Sequence, residues 1–361
     1  MTDLKAETRI DHADAVALMR HFSEEHGEFL VETGRDDAWE FRTPFGSMFA
    51  DREGRGLRIQ VAAADETFLS YLKMGVADHA THLLGPEISL EWRGDGPTAG
   101  LPVFFREITV LSSRRLTPHM QRLRFSGEDL GRFATGGLHV RLLLPPAGRA
   151  PAWPVIGPNG SLQWPSGADT LTVRIYTIRA VDAERGWVEI DFVLHGDDDS
   201  PAATFARTAK GGEVIGMLGP GGEEAPDVSR FVLLGDETAI PAIGRMLEAM
   251  APASEADVFI EVDGPADEQP LPTRARAHLH WLHRNGAQPG TVGLLSKALA
   301  DVDWASRDPD TFVWAGCEHA DARIIRKFLK TELKKPRAQY LAAAYWRRHT
   351  QGAEGLADDL G

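Results

Sequence analysis

Apolar positions recur along this chain in three successive rhythms. In residues 1–96 two stretches carry them at the three-and-four spacing of a helix: 12–26, where Ala15, Leu18, Met19 and Phe22 share a side, and 67–84, where Phe68, Leu72, Val76 and Leu83 do. Between them, residues 28–32, 39–42, 47–51 and 57–62 are short, rich in aromatic or branched side chains, and separated by turn formers such as Gly34-Arg35-Asp36-Asp37. This order predicts a small α+β domain over residues 1–96. Residues 94–102 hold three glycines and two prolines in nine positions and read as a linker.

From 103 to 225 the rhythm becomes that of strands, at 103–111, 120–126, 139–144, 171–178, 187–194 and 213–218, with one helical piece at 200–209. Six strands divided by Gly, Pro and Asp clusters predict a closed antiparallel barrel. From 229 to 349 strand-like runs (231–234, 257–262, 278–282, 311–314) alternate with helical patterns (240–250, 294–300, 320–333). That alternation predicts an α/β domain with a parallel sheet and a nucleotide-sized crevice at the strand ends. Residues 341–345 suit a last strand or an Ala-rich helix.

Composition narrows the functions open to this arrangement. The formal charge is −14, from 53 acidic against 39 basic side chains, which disfavours nucleic acid as a partner. The basic residues are unevenly placed: 270–349 holds fourteen Lys/Arg against seven Asp/Glu. Arg323, Arg326, Lys327, Lys330 and Lys334 recur there at helical spacing, as a solvated face or as an attractor for an anionic ligand. The one cysteine, Cys317, excludes an intrachain disulfide, and no Cys/His set has metal-ligand spacing, so no resident metal is expected. His79 and His82 lie three apart on a predicted helix, but no third ligand stands at fixed spacing from them. Acidic residues interrupt the first ten positions, and no later run of about 18 uncharged apolar residues follows. A cytoplasmic protein without membrane insertion is the expectation.

The most informative short stretch is Arg174-Ile-Tyr-Thr177. On a strand, Arg174 and Tyr176 project to one face, which suits a ligand combining a diphosphate with a flat ring. A solvated cross-strand pair is the plain alternative. Ser200-Pro-Ala-Ala203 opens a helix with a serine cap and proline at the first position, presenting N–H groups to an anion. Residues 231–242 read as strand, glycine turn and helix start, a seat for a dinucleotide that lacks the three-glycine fingerprint.

Taken in order, these stretches resemble the siderophore-interacting protein family of flavin-dependent ferric-siderophore reductases, relatives of the ferredoxin–NADP reductases. The resemblance covers roughly residues 103–349. It is carried by Leu116-Thr-Pro-His119, His139-Val-Arg-Leu142, Arg174-Ile-Tyr-Thr177, His195-Gly196, Gly219-Pro-Gly-Gly222, Leu234-Gly-Asp-Glu-Thr238, Trp314-Ala-Gly-Cys-Glu318 and Tyr345-Trp-Arg-Arg348. It implies that Arg174 neutralises the FAD diphosphate, that Tyr176 lies against the flavin or its ribityl chain, and that Thr177 bonds near flavin N5. His195 and Gly196 would meet the cofactor, and the Ser200, Ala202 and Ala203 helix opening would hold phosphate. His139 matches a position near the flavin, with packing an equally open role. Gly235, Asp236, Thr238, Ala239 and Glu318 would seat NADH or NADPH, whereas Cys317 is expected to be a packing residue. The chain departs from the family in the acidic run Asp197-Asp198-Asp199 before Ser200 and in His349, where the family has glycine.

The implied activity is NAD(P)H-dependent reduction of a ferric siderophore. A two-electron donor and a one-electron acceptor need a flavin between them, and Fe(II) leaves a hard-oxygen chelate more readily than Fe(III). A flavin reductase of the same architecture acting on a quinone or redox protein, and a non-enzymatic iron-chelate binding module, are the competing readings. The siderophore, the choice between NADH and NADPH, the oligomeric state and the role of residues 1–96 are not encoded in any motif.

Overall fold

A computed structural model describes residues 3–194, 200–222 and 226–348. Two compact units share the chain: Met1–Phe105 with Pro146–Thr170, and Arg106–Pro145 with Leu171–Gly361. The first unit is α+β. Its elements are β1 (Leu4–Ile10), α1 (Ala15–Glu25), β2 (Leu30–Val31), β3 (Ala38–Thr43), β4 (Gly46–Glu53), β5 (Gly56–Ala63), α2 (Glu66–Leu84) and β6 (Arg93–Gly94), with sheet order β2-β3-β4-β5-β1-β6. Strict alternation sends Leu57, Ile59, Val61 and Ala63 of β5 into the core beneath Leu18, Met19 and Phe22 of α1. Asp65 caps α2 by accepting from the Phe68 N–H at 2.9 Å.

Two expectations shift here. The buried face of α2 is Leu69, Lys73, Val76, Ala77 and Ala80, while Leu83 is 39% exposed. Phe68 and Leu72 pack against the same core from its margin, where Phe68 also meets the rings of Phe45 and Tyr71. Residues 94–102 are mostly exposed, but hydrogen bonds tie them to this unit. Lys73 donates to the Asp95 carbonyl at 2.6 Å, Asp95 accepts from the Lys5 N–H, and Gly100 pairs with Ile156. The segment 146–170 joins this unit too, through Trp92 Nε1 donating to the Asn159 carbonyl at 3.3 Å and Trp153 against Phe105.

In the second unit a closed antiparallel barrel runs β12-β13-β8-β7-β14-β9. Its strands are β7 (Phe105–Thr117), β8 (Met120–Gly127), β9 (His139–Leu144), β12 (Thr172–Asp182), β13 (Trp187–Val193) and β14 (Val214–Gly221), with α3 (Pro201–Thr208) between the last two; β10 (Val155–Ile156) and β11 (Leu162–Gln163) form a separate pair. Closure removes free strand edges. On one barrel wall Arg122 forks onto Asp191 at 2.6 and 2.7 Å, beside Arg124 on Glu189.

The rest of the unit is the expected parallel sheet, in order β17 (Arg276–His283), β16 (Glu255–Val262), β15 (Arg230–Gly235), β18 (Phe312–Glu318), β19 (Tyr340–Trp346). Helices α4 (Ile240–Ala249), α5 (Leu294–Asp301) and α6 (His319–Thr331) connect them. Residues 341–345 are therefore strand, paired in parallel with β18. β15 and β18 are buried along nearly their whole length, as parallel strands covered on both faces must be. The first strand of the sheet has the second on one side and the fourth on the other, so the chain reverses its winding between β15 and β18. A crevice opens at such a switch point, at the carboxyl ends of the strands. Barrel and sheet share one apolar cluster in which Met120 and Leu138 pack with Phe231 and Ile240. No described helix is long and apolar enough to cross a membrane.

Candidate functional site

β12 places Arg174 and Tyr176 on one face of the barrel wall, both partly exposed. Tyr176 packs on Phe192 with ring centroids 4.4 Å apart, and Phe192 in turn meets Phe205 of α3. The Arg174 guanidinium donates from Nη1 to the Val173 carbonyl at 2.8 Å, and its other N–H groups have no hydrogen-bond partner among the described residues. Ala202, Ala203 and Ala206 anchor α3 in the barrel core, and Ser200 Oγ accepts from the Ala203 N–H at 3.4 Å. An unspent cationic fork beside an aromatic ring is the donor set a flavin dinucleotide needs, so the residues fit the cofactor. His195 and Gly196 lie outside the described residues.

Thr177 points to the other face, where its hydroxyl meets His139 Nδ1 at 3.2 Å. His139 Nε2 is 3.1 Å from the Tyr345 hydroxyl, with the two rings edge to face at 86°. A barrel strand is thus tied to the last strand of the sheet through His139. Burial, aided by the positive charge of Arg245, pushes the His139 pKa down to about 4, so the ring is neutral near pH 7. The folded state then binds fewer protons than the unfolded one as pH falls from 6.5 to about 4, and stability is lost over that window. We expect wild type to lose about 2–3 kcal/mol more than His139→Gln between pH 8 and pH 4.5, read from urea unfolding. Parallel pH profiles for the two proteins would contradict this.

At the sheet crevice, Gly235 ends β15 where a Cβ would lie 2.5 Å from the Ala239 Cβ, so glycine is what lets strand and following turn pack. Asp236 accepts from the Thr238 N–H at 2.9 Å, from the Thr238 hydroxyl at 2.5 Å and from Trp346 Nε1 at 2.7 Å. Burial and the neighbouring Glu237 raise its pKa to about 6. Glu318 is the last residue of β18 rather than a residue beyond it. It caps α6 by accepting from the Ala320 N–H at 2.5 Å and also accepts from the Arg348 N–H at 3.1 Å. The carboxylates of Asp236 and Glu318 are thus committed to hydrogen bonds that hold the turn after β15, the last strand and the start of α6 together, while Gly235, Thr238 and Ala239 belong to that turn. Cys317 is fully buried, and burial holds its thiol protonated.

Several residues of this region carry no local signal. Glu237 and Arg284 form a buried bidentate pair at 2.6 and 2.9 Å, with Glu261 a further 3.6 Å from the guanidinium. Arg179 on β12 forks onto Glu248 of α4, and Arg245 donates to the Ile178 and Ala134 carbonyls. Tyr345 and Trp346, quoted above only as part of a motif, bond His139 and Asp236. Of the basic stripe, Arg323, Lys327 and Lys330 are exposed on α6, Arg326 donates to the Ala342 carbonyl, and Lys334 falls beyond the helix.

Against known proteins, the siderophore-interacting FAD-binding domain profile matches residues 109–224 and the siderophore-interacting protein profile matches 228–349. An uncharacterised protein of Mycobacterium tuberculosis is 31% identical over 276 residues, covering 69% of this chain and 92% of its own. The chain belongs to the siderophore-interacting protein family. A ferric vibriobactin reductase of Vibrio cholerae is 28% identical over 250 residues, covering 68% of this chain and 90% of that family member. A siderophore utilization protein from T. fusca superposes with a TM-score of 0.59 at 32% identity, covering 71% of this chain and 96% of the other. FAD is accordingly the cofactor of the barrel, and neither family profile reaches residues 1–108.

Proposed function

We propose that this member of the family is a cytoplasmic, FAD-containing ferric-siderophore reductase that draws on NADH or NADPH. The observation that carries the proposal is the Arg174 fork, on the Tyr176 face of the barrel wall with one hydrogen bond among the described residues. Bound FAD supplies the exchange between a two-electron donor and one-electron acceptors. Arg174 holds the diphosphate, Tyr176 lies against the ring system or ribityl chain, and the opening of α3 at Ser200, Ala202 and Ala203 adds N–H groups for phosphate. Thr177 and His139 bound the cofactor from the side facing the sheet, with Thr177 near flavin N5, and His195 and Gly196 complete the cofactor contacts.

Gly235, Asp236, Thr238, Ala239 and Glu318 seat the pyridine nucleotide at the switch point, the two carboxylates by fixing the turn after β15 and the start of α6. Exposed Arg323, Lys327 and Lys330 raise the local concentration of an anionic ferric chelate. One NAD(P)H gives NAD(P)⁺, one proton and two Fe(II) from two Fe(III). Fe(II) is bound less tightly by hard oxygen donors and leaves the chelate. The Vibrio relative named a ferric vibriobactin reductase supports this substrate class.

The test is anaerobic. The FAD-loaded chain should lose its flavin absorption on adding NADH or NADPH and regain it on adding a ferric siderophore, with Fe(II) captured by a ferrous chelator at about two per nucleotide, as electron balance requires. Flavin absorption that returns with a quinone but not with any ferric chelate would replace this reading with the flavin reductase alternative.

A further inference from the structure

The first unit gathers histidines that no sequence spacing connects. His21 and Glu25 lie one helical turn apart on α1, and His79 reaches them from α2, 54 residues from Glu25. His79 Nε2 is 2.9 Å from Glu25 Oε2 and 3.4 Å from His26 Nε2, and His21 Nε2 is 3.3 Å from Glu25 Oε1. One ligand atom from each of His21, Glu25 and His79 falls within 4.8 Å of the others. Phe22 stacks on the His79 ring at 4.1 Å, and His82 stacks on His21, so the rings are held from both sides.

Tautomer chemistry makes this cluster more than an ion pair. His79 Nδ1 lies 2.7 Å from the Gly75 carbonyl, which can only accept, so the proton of a neutral ring sits on Nδ1. The Nε2 lone pair of that neutral ring then faces a carboxylate oxygen at 2.9 Å, two acceptors that a cation between them would satisfy, with His26 Nε2 beside them. A backbone carbonyl fixing the far nitrogen is also how metal-bound histidines are oriented. His79 Nε2 and His21 Nε2 each approach one oxygen of the Glu25 carboxylate, at 2.9 and 3.3 Å, and one ligand atom of each of the three residues lies within 4.8 Å of the others, close enough for modest side-chain movement to bring all three to bonds of about 2.0–2.2 Å around one ion.

We propose that His21, Glu25 and His79 bind a divalent first-row transition metal ion, with His26 at the margin of the site. Two imidazoles and one carboxylate suit Zn(II) or Fe(II), and three protein ligands leave a coordination position open, as in exchangeable rather than purely structural sites. This site stands in the α+β unit and does not depend on the flavin reading, although Fe(II) is the ion that reading would release nearby in the cell.

The test uses the full, tag-free chain dialysed against Zn(II) and, anaerobically, against Fe(II), with bound metal counted per chain. We expect one ion per chain for at least one of the two metals, a rise in Tm on its addition, and at least tenfold weaker binding in Glu25→Gln and His79→Gln. Glu25 is partly exposed, so its variant keeps the fold even where His79→Gln loosens helix packing. Asp263→Asn, in the separate group His119, Asp263 and Asp267 of the second unit, should leave binding unchanged. Neither metal retained, retention unaltered in Glu25→Gln, or retention lost in Asp263→Asn overturns the proposal.

Discussion

Arg284→Leu is expected to cost about 3–5 kcal/mol of stability at pH 8, the largest effect of any single substitution in the sheet domain. The guanidinium is 3% exposed and makes two hydrogen bonds to Glu237, itself 4% exposed. It also lies 3.6 Å from Glu261, whose Oε2 has no hydrogen-bond partner among the described residues. Burial and the neighbouring acids Asp236, Asp321 and Glu237 push Glu261 up to about 7, against the attraction of Arg284. Taking the cation away leaves the buried carboxyl groups of Glu237 and Glu261 without their ion-pair partner.

The sign of the pH dependence follows from Glu261. A carboxyl with a folded pKa above its unfolded value stabilises the protein when protonated and loses that contribution as pH rises. For Glu261 in wild type the window runs from 4.5 to about 7. In Arg284→Leu the Glu261 window extends upward because the cation that lowers its pKa is gone, so the deficit relative to wild type should shrink when unfolding is measured at pH 5 rather than pH 8. A companion replacement of both partners, Glu237→Leu with Arg284→Leu, removes one stranded charge and should recover part of the loss. A deficit under about 1 kcal/mol at pH 8 would show that the pair is solvated and that the buried-charge argument fails.

What the sequence shows and what it hides divide along the same physical line. The barrel and the parallel sheet are legible because their strands bury one or both faces, and burial writes a period into the chain: the near-continuous apolar run of β15 reads as a covered parallel strand. β1 escapes notice although it follows the same rule. Ala6, Thr8 and Ile10 face inward between Lys5, Glu7 and Arg9, and two small or polar inward residues make the alternation look like a charged amino-terminal stretch. In α2 Phe68, Leu72 and Val76 face the core as their spacing indicates, but Ala77 and Ala80 are buried there while Leu83 is exposed, because small side chains pack against a sheet without carrying the apolar signal that marks a buried face.

For the site, residues contiguous in sequence are legible and residues joined by the fold are not. Arg174 and Tyr176 are two apart on one strand, so their shared face can be deduced. The link from His139 to Tyr345 spans 206 residues and that from Trp346 to Asp236 spans 110, with the partners in different parts of the fold. The same holds for His79 and Glu25, which became neighbours only when α1 and α2 packed. Nothing about a lone histidine distinguishes these roles before folding.

Arg174→Ala should weaken FAD binding by about 30- to 150-fold in Kd, the equivalent of about 2–3 kcal/mol for a charge-assisted contact to the diphosphate. The expectation rests on what the side chain does not do in the protein itself. With Nη1 on the Val173 carbonyl as its one hydrogen bond among the described residues, the guanidinium supports no strand pairing and no neighbouring carboxylate, so its loss should leave the barrel intact. Tm of the flavin-free variant should therefore match that of the flavin-free wild type, which separates a binding defect from a folding defect.

Arg174→Lys sharpens the reading. Lysine keeps the charge but presents a compact ammonium in place of a planar fork, so it should restore part of the affinity and most of its dependence on ionic strength without the full bidentate contact. Flavin retention measured by absorbance after dialysis, across wild type, lysine and alanine, should fall in that order. Equal flavin content in all three would place the diphosphate elsewhere and move the cofactor off the Arg174 and Tyr176 face of the barrel.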